Sequence, residues 1–298
     1  MIMRIVIAGG TGVLGQRIVP ALLSQGHQVT VLARHPGRAA PLAALGASVA
    51  AADVFDRERV RRAVTEAAPE VVMHQLTDLA DGTGPGNAEI RRTGTRNLVD
   101  AARAAGARRF IVQSIAWAYR GGDGPASEAT PLDVRAADPG RRDTVDAVRV
   151  MEQGARELPE AVILRNGLLY GPGTWYWADG ATARTAQAGG LQASGDVSSF
   201  VHVDDAAAAA VSALAWPPGA VNITDDEPAA AADWVPAFCA AVGAPGPAAE
   251  PGPGAGTRTG WARGASNRHA REELGWKPAW PSWRDGFAAM NGDAGRIS

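Results

Sequence analysis

Gly9-Gly10-Thr11-Gly12-Val13-Leu14-Gly15 is the stretch that decides the fold. Arg4-Ile5-Val6-Ile7-Ala8 runs into it, short, apolar and β-branched, as a buried strand does. Beyond it a helix reads over 13–25 and stops at Gly26. A strand, a glycine turn and a helix start leave free N–H groups and the positive end of a helix dipole at the turn. The absent side chains let backbone approach a ligand closely. This arrangement suits the pyrophosphate of a dinucleotide. Gly9, Thr11, Gly12, Val13, Leu14 and Gly15 are the contacts it implies. A plain structural turn is the alternative.

Working outward, strands are predicted at 28–33, 47–50, 70–74, 109–114 and 161–165. Helices are predicted at 38–45, 56–67, 88–105 and 143–157. Repeated β-α units of this size predict an α/β fold, a Rossmann-type doubly wound parallel sheet. After residue 165 Gly, Pro and Trp become frequent, which predicts a smaller carboxy-terminal substrate lobe. The expected division is a dinucleotide-binding domain over 1–165, with 197–218 returning to it, and a substrate-binding lobe over 166–196 and 219–298. Residues 121–142 and 171–196 read as long loops, 245–257 as a low-complexity linker, and 291–298 as a frayed end.

The end of the second strand bears on the cofactor. An acidic residue there would bond a ribose 2′-hydroxyl, but the chain has Ala33-Arg34-His35, with Arg38 just beyond. A guanidinium forks onto a phosphate, which favours NADPH/NADP over NAD. Arg34 as a solvated loop charge is the bland alternative. Asp53, with Val54, follows the third strand, where a carboxylate can accept the adenine amino group or cap a helix. Leu76, past the fourth strand, is a further cofactor candidate.

Composition excludes several classes. The 298 residues carry a formal charge of −2, which gives no electrostatic reason to bind nucleic acid or an anionic membrane. One cysteine, Cys239, leaves no disulfide framework and no cysteine-based metal cage, and no metal is expected. No apolar run is long enough to span a membrane, and Met1-Ile2-Met3-Arg4 leads straight into the first strand, so a cytoplasmic protein is expected. Ala reaches 62 residues and Arg 28, against a single Lys, Lys277, and three Tyr. Any chemistry needing a Tyr and a Lys a few residues apart has almost no place here.

The chain resembles the extended short-chain dehydrogenase/reductases over about residues 3–290. The resemblance rests on GGTGVLG (9–15), GTRNLVDAARAAGARRFIVQS (94–114), RNGLLYGPGT (165–174), SFVHVDDAAAAAVSAL (199–214), NITDDEP (222–228) and ELGWKPAWPSWRDGF (273–287). It implies that Asn166 and Gly167 border the nicotinamide. It also implies a Ser after the fifth strand and a Tyr-x-x-x-Lys pair on the next helix, the Tyr giving a proton to a carbonyl and the Lys lowering its pKa. The sequence departs from that pattern. Aligned on Glu152, Thr144 stands at the Tyr position and Val148 at the Lys position. Ser114 or Ile115 falls at the Ser position, and Arg91 replaces the usual Asn.

Ser114 and Thr144 are therefore the catalytic candidates, with a substrate phenol or water as alternative proton sources. Tyr176 and His202 are more remote. Trp117, Tyr119, Trp175, Tyr176 and Trp177 border the substrate cleft that the resemblance implies, where flat aromatic walls suit a large aromatic small molecule. Core packing is the alternative for these rings. The activity expected is NADPH-dependent reduction of an aromatic polyketide ketone in antibiotic biosynthesis, by a monomer or homodimer. A non-catalytic NADP-binding sensor and a nucleotide-sugar epimerase or dehydratase are the competing readings.

Overall fold

The structure is a computed structural model and describes residues 2–78, 85–247 and 257–293. In chain order the first elements are β1 (Arg4–Ala8), α1 (Gly15–Ser24), β2 (Gln28–Ala33), α2 (Ala40–Ala44), β3 (Ser48–Ala51), α3 (Arg57–Ala67) and β4 (Val71–His74). Next come α4 (Pro85–Glu89), a π-helical turn (Ile90–Gly94), α5 (Thr95–Ala104), β5 (Arg109–Ile115), α6 (Pro139–Ala155) and β6 (Glu160–Asn166). The rest are β7 (Leu168–Tyr170), α7 (Ala181–Gln187), β8 (Val197–Ser198), β9 (Phe200–His202), α8 (Val203–Ser212), β10 (Gly219–Ile223), β11 (Ala229–Ala230), α9 (Ala231–Ala241), α10 (Arg268–Glu272) and α11 (Trp283–Asp293).

Seven strands form one parallel sheet in the order β10-β6-β5-β4-β1-β2-β3, flanked by helices, the doubly wound Rossmann-type fold read from the sequence. The order reverses between β1 and β4. That reversal is the point at the carboxyl ends of the strands where such sheets bind ligands. The chain divides into two compact units. One holds Met1–Ser114, Val134–Leu164 and Ala207–Val221; the other holds Ile115–Asp133, Arg165–Ala206 and Asn222–Ser298.

In the first unit Val6, Val72, Phe110, Val112 and Ile163 pack with Leu98, Val99 and Met151. In the second, Tyr170, Phe200, Phe238, Trp283 and Phe287 make an aromatic core of mostly edge-to-face pairs. Two buried carboxylates fasten the closing motif to it. Asp205 accepts from the Ala279 and Trp280 N–H groups at 2.8 and 2.9 Å, and Asp225 from Trp283 N–H at 2.9 Å.

Three elements differ from the sequence reading. The helix read over 143–157 begins at Pro139, because Asp138 caps it by accepting from Arg141 N–H at 2.6 Å. The helix read over 88–105 is broken by the π-turn. The loop read over 171–196 contains α7. The linker reading falls mostly on 248–256, and the frayed end mostly on 294–298, both outside the described residues.

Candidate functional site

In the first unit the glycine turn is closed by backbone. Gly9 has φ +93°, and a Cβ there would lie 2.5 Å from the Gln75 carbonyl group; a Cβ on Gly15 would lie 2.2 Å from Gly9 O. Gly12 N–H donates to Gly9 O at 3.1 Å. Val13 and Leu14 carry the turn into α1, with Leu14 buried, and Thr11 O accepts from the Gln16 amide. Leu76 N lies 2.9 Å from where the Gly9 Cβ would be. The buried Gln75 amide has no hydrogen-bond partner at either polar atom. A backbone that tolerates no Cβ, beside an unsatisfied buried amide, fits a dinucleotide laid across the turn.

Arg34 and His35 are exposed past β2, and Arg38 is exposed in the short 3-10 turn that follows. Neither arginine is paired with an acid among the described residues. Asp53 Oδ1 accepts from Phe55 N–H at 3.0 Å, so part of its carboxylate serves a turn. Val54 is buried and its carbonyl accepts from Asn97 at 2.9 Å.

At the end of β4, His74 is buried. Its Nδ1 accepts from Leu76 N–H at 3.3 Å, and its Nε2 lies 3.0 Å from Thr95 Oγ. The proton therefore sits on Nε2 and the ring is neutral. Burial, helped by the Arg91 charge, pushes its pKa down to about 4. Arg91 stands on the π-turn; burial lowers its own pKa to about 10. π-turns recur at functional sites.

At the candidate catalytic positions one hydroxyl proton is already committed. Ser114, at the end of β5, donates its hydroxyl to Glu152 Oε1 on α6 at 2.8 Å, and both residues are fully buried. Val148 is also fully buried and cannot ionise. Thr144, half-buried on the same helix, is eight residues from Glu152, about 12 Å along the axis. The structure thus brings Ser114 to Glu152 and leaves Thr144 more than two turns away. Glu152 served the sequence reading only as an alignment anchor; its role as the serine's acceptor needed the fold.

In the second unit Asn166 is buried, with no hydrogen-bond partner for its Oδ1. A Cβ on Gly167 would lie 2.6 Å from Ser199 O, so only glycine fits there. A cavity of about 300 Å³ opens beside Gly167, lined by Trp117, Tyr119, Leu168, Val197, Trp261 and Arg263 among others. Trp117 presents an exposed face, while Tyr119 is buried and donates to Asn222 at 2.5 Å. Trp175, Tyr176 and Trp177 do not line this cavity. Tyr176 and Trp177 pack on the aromatic core, Tyr176 edge-on to Phe200, Trp234 and Phe238, and Trp175 is half-buried in the same loop. His202 stacks on Trp280 at 4.8 Å, a packing role. The sequence reading missed Trp261 as a wall, since it lies far along the chain and only the fold closes that loop onto the cavity.

Among the described residues no group of His, Cys, Asp and Glu could hold a metal, and no helix is long and apolar enough to cross a membrane.

The geometry defines a dinucleotide-binding, Rossmann-type fold, and the comparisons agree. A family model described as NAD(P)H-binding matches residues 9–158, and the chain belongs to this family of Rossmann-type NAD(P)H-dependent reductases. It is 45% identical over 305 residues to the 3-diazoavenalumate denitrifying reductase of a Streptomyces species, covering 96% of this chain and 99% of that one. It is 30% identical over 260 residues to the 2-alkyl-3-oxoalkanoate reductase of Stenotrophomonas maltophilia, covering 82% and 77%. Among solved structures it resembles the Bordetella bronchiseptica enzyme WbmG in complex with NAD and UDP, at a TM-score of 0.77 and 24% identity over 100% of this chain and 95% of that one. The last likeness bears on the fold alone.

Proposed function

We propose that this NAD(P)H-dependent reductase removes a diazo group from an aromatic ring, leaving hydrogen in its place and releasing dinitrogen. When bound, the reduced nicotinamide supplies one hydride. With an aryl diazonium the step balances on that hydride alone. A C–H bond forms, the C–N bond breaks, and its electron pair leaves with N2. No oxygen gains charge, so nothing on the protein must deliver a proton.

The observation that carries this reading is the missing donor. Val148 cannot ionise, and Ser114 spends its hydroxyl hydrogen on Glu152. A ketone reductase without an acid must protonate an alkoxide from elsewhere; a denitrifying reductase has no alkoxide to protonate. The relative that matches nearly the whole chain carries the denitrifying name, which supports the same choice. What the chain supplies is position: the glycine turn for the pyrophosphate, Asn166 at the nicotinamide, and Arg34, His35 and Arg38 for a 2′-phosphate, which favours NADPH over NADH. Holding the reacting carbons at contact distance is itself worth several orders of magnitude in rate.

The second reading is reduction of an aromatic polyketide ketone, as by the angucyclinone ketoreductase of simocyclinone biosynthesis, which this chain resembles in the combination of its Ala- and Arg-rich composition, its aromatic loops and its missing Tyr-Lys pair. The exposed face of Trp117 on the cavity favours a flat aromatic ligand of either kind. One assay separates them. The protein is incubated with NADPH and either 3-diazoavenalumate or a panel of aromatic polyketide ketones, and nitrogen evolved, alcohol formed and NADPH consumed are measured. One N2 per NADPH with the diazo compound is the expected result. Alcohol formation without nitrogen release would establish the second reading.

A further inference from the structure

The cavity of the second unit carries a cation that hydride transfer does not use. Arg263 lies on its wall. Its Nε donates to the Gly124 carbonyl and its Nη2 to the Asp123 carbonyl, each at 2.5 Å. Gly122 is packed so close that a Cβ there would lie 2.4 Å from Nη1. Two carbonyls and a glycine thus fix the guanidinium plane without neutralising it.

No acid among the described residues pairs with this arginine. Asp196, the acid on the same wall, accepts instead from Thr259 N–H at 2.5 Å and from Thr259 Oγ–H at 3.1 Å. Arg258, on the same loop, also turns to carbonyls, those of Gly122, Gly260 and Ala262. The loop therefore holds two cations bonded to carbonyls rather than to carboxylates. Beside Arg263, Trp117, Trp261, Leu168 and Val197 make an apolar wall. At about 300 Å³ the cavity sits at the small end of ligand pockets, with room for one ring and a short arm.

We propose that the substrate of this reductase is a small aromatic carboxylic acid, its ring against Trp117 and Trp261 and its carboxylate paired with Arg263. The assignment rests on the reading of this chain as a reductase of aromatic substrates, and it names the class of substrate. A pinned guanidinium loses little freedom on pairing, and a charge-assisted contact of this kind is worth about 10- to 100-fold in affinity.

The test is binding to the NADP⁺-loaded protein, followed by calorimetry, with cinnamate, methyl cinnamate and UDP-glucose as probes. Cinnamate is expected to bind at least about 10-fold more tightly than its ester. Arg263→Gln should abolish that preference, and Arg263→Lys should keep part of it. Equal binding of acid and ester by the unaltered protein, which needs no variant to fold, overturns the assignment. So does a preference that survives Arg263→Gln in a folded variant. UDP-glucose binding more tightly than cinnamate and depending on Arg263 would make this a diphosphate site and overturn it as well. Failure of the anchor is separable from failure of the reaction. Nitrogen release that ignores acid or ester form contradicts only the anchor, and acid preference without nitrogen release contradicts only the diazo chemistry.

Discussion

The turn after β1 and the face between β5 and α6, which the resemblance to the extended short-chain dehydrogenase/reductases assigns to one reaction, differ in what they hold. The turn keeps every feature of a dinucleotide cradle: Gly9 at φ +93°, Gly15 against the Gly9 carbonyl, and a helix start behind them. The β5–α6 face keeps its packing but holds no Tyr-Lys pair, and its one buried hydroxyl is bonded to Glu152. A cofactor held by backbone must have its glycines whatever is reduced. A proton donor is needed only where the reaction creates a base. On the proposed reading, the contrast means that the chain moves a hydride to a substrate that asks the protein for no proton.

The largest effect is expected where backbone allows no side chain. Gly15→Val places carbon within 2.2–2.4 Å of Gly9 and Gly10 atoms. Cofactor binding, followed by fluorescence titration, should fall more than about 1,000-fold, or the chain should fail to fold. Near-normal binding would break the account of the turn.

A smaller effect tests the end of β4. The His74 pKa is pushed from 6.5 down to about 4 in the fold. Between those values the unfolded chain takes up a proton that the folded chain refuses. Stability from this group is therefore whole above pH 6.5 and is lost as pH falls from there to about 4. The loss is at most ~3 kcal/mol. Chemical denaturation across that range should show the slope in the unaltered protein and a flatter one in His74→Gln.

Next comes the cofactor's 2′-phosphate. Arg34→Ala should lower the NADPH:NADH preference in kcat/KM by about 10-fold, by raising KM for NADPH alone. An equal loss with both cofactors would place Arg34 outside the phosphate site. The smallest effect belongs to the β5–α6 face. Ser114→Ala leaves the buried Glu152 carboxylate short of a donor, so the melting temperature should drop. Turnover per folded molecule should change less than ~10-fold for Ser114→Ala and for Thr144→Ala, against the ~100- to 10,000-fold typical of losing a general acid.

The same contrast governs what was legible in the sequence. The parallel sheet and the glycine turn follow from local patterns: β-branched runs, helix stops at Gly26 and Gly106, and a motif whose chemistry is mostly backbone, whereas the strand order came only from the fold. The absence of Tyr and Lys from α6 was legible too, because absence needs no geometry. Partnerships were not. Ser114 and Glu152 are 38 residues apart, and only the fold brings them to 2.8 Å. The wall containing Trp117, Trp261 and Arg263 joins distant loops, and no local period marks it. Tyr176 and Trp177 stood beside the nicotinamide-bordering segment by motif, yet the structure packs them on the aromatic core. An aromatic side chain satisfies a core and a cleft equally well in one dimension.

The central claim is that no protein group delivers a proton in the rate-determining chemistry. It is tested most directly by single-turnover reduction of 3-diazoavenalumate with NADPH carrying deuterium at the transferred position, in light and in heavy water. The expected result is a primary isotope effect from the cofactor's deuterium, a solvent isotope effect near unity, and one N2 released per NADPH consumed. A large solvent isotope effect, abolished in Ser114→Ala or Thr144→Ala, would show a proton in flight from that residue and contradict the claim.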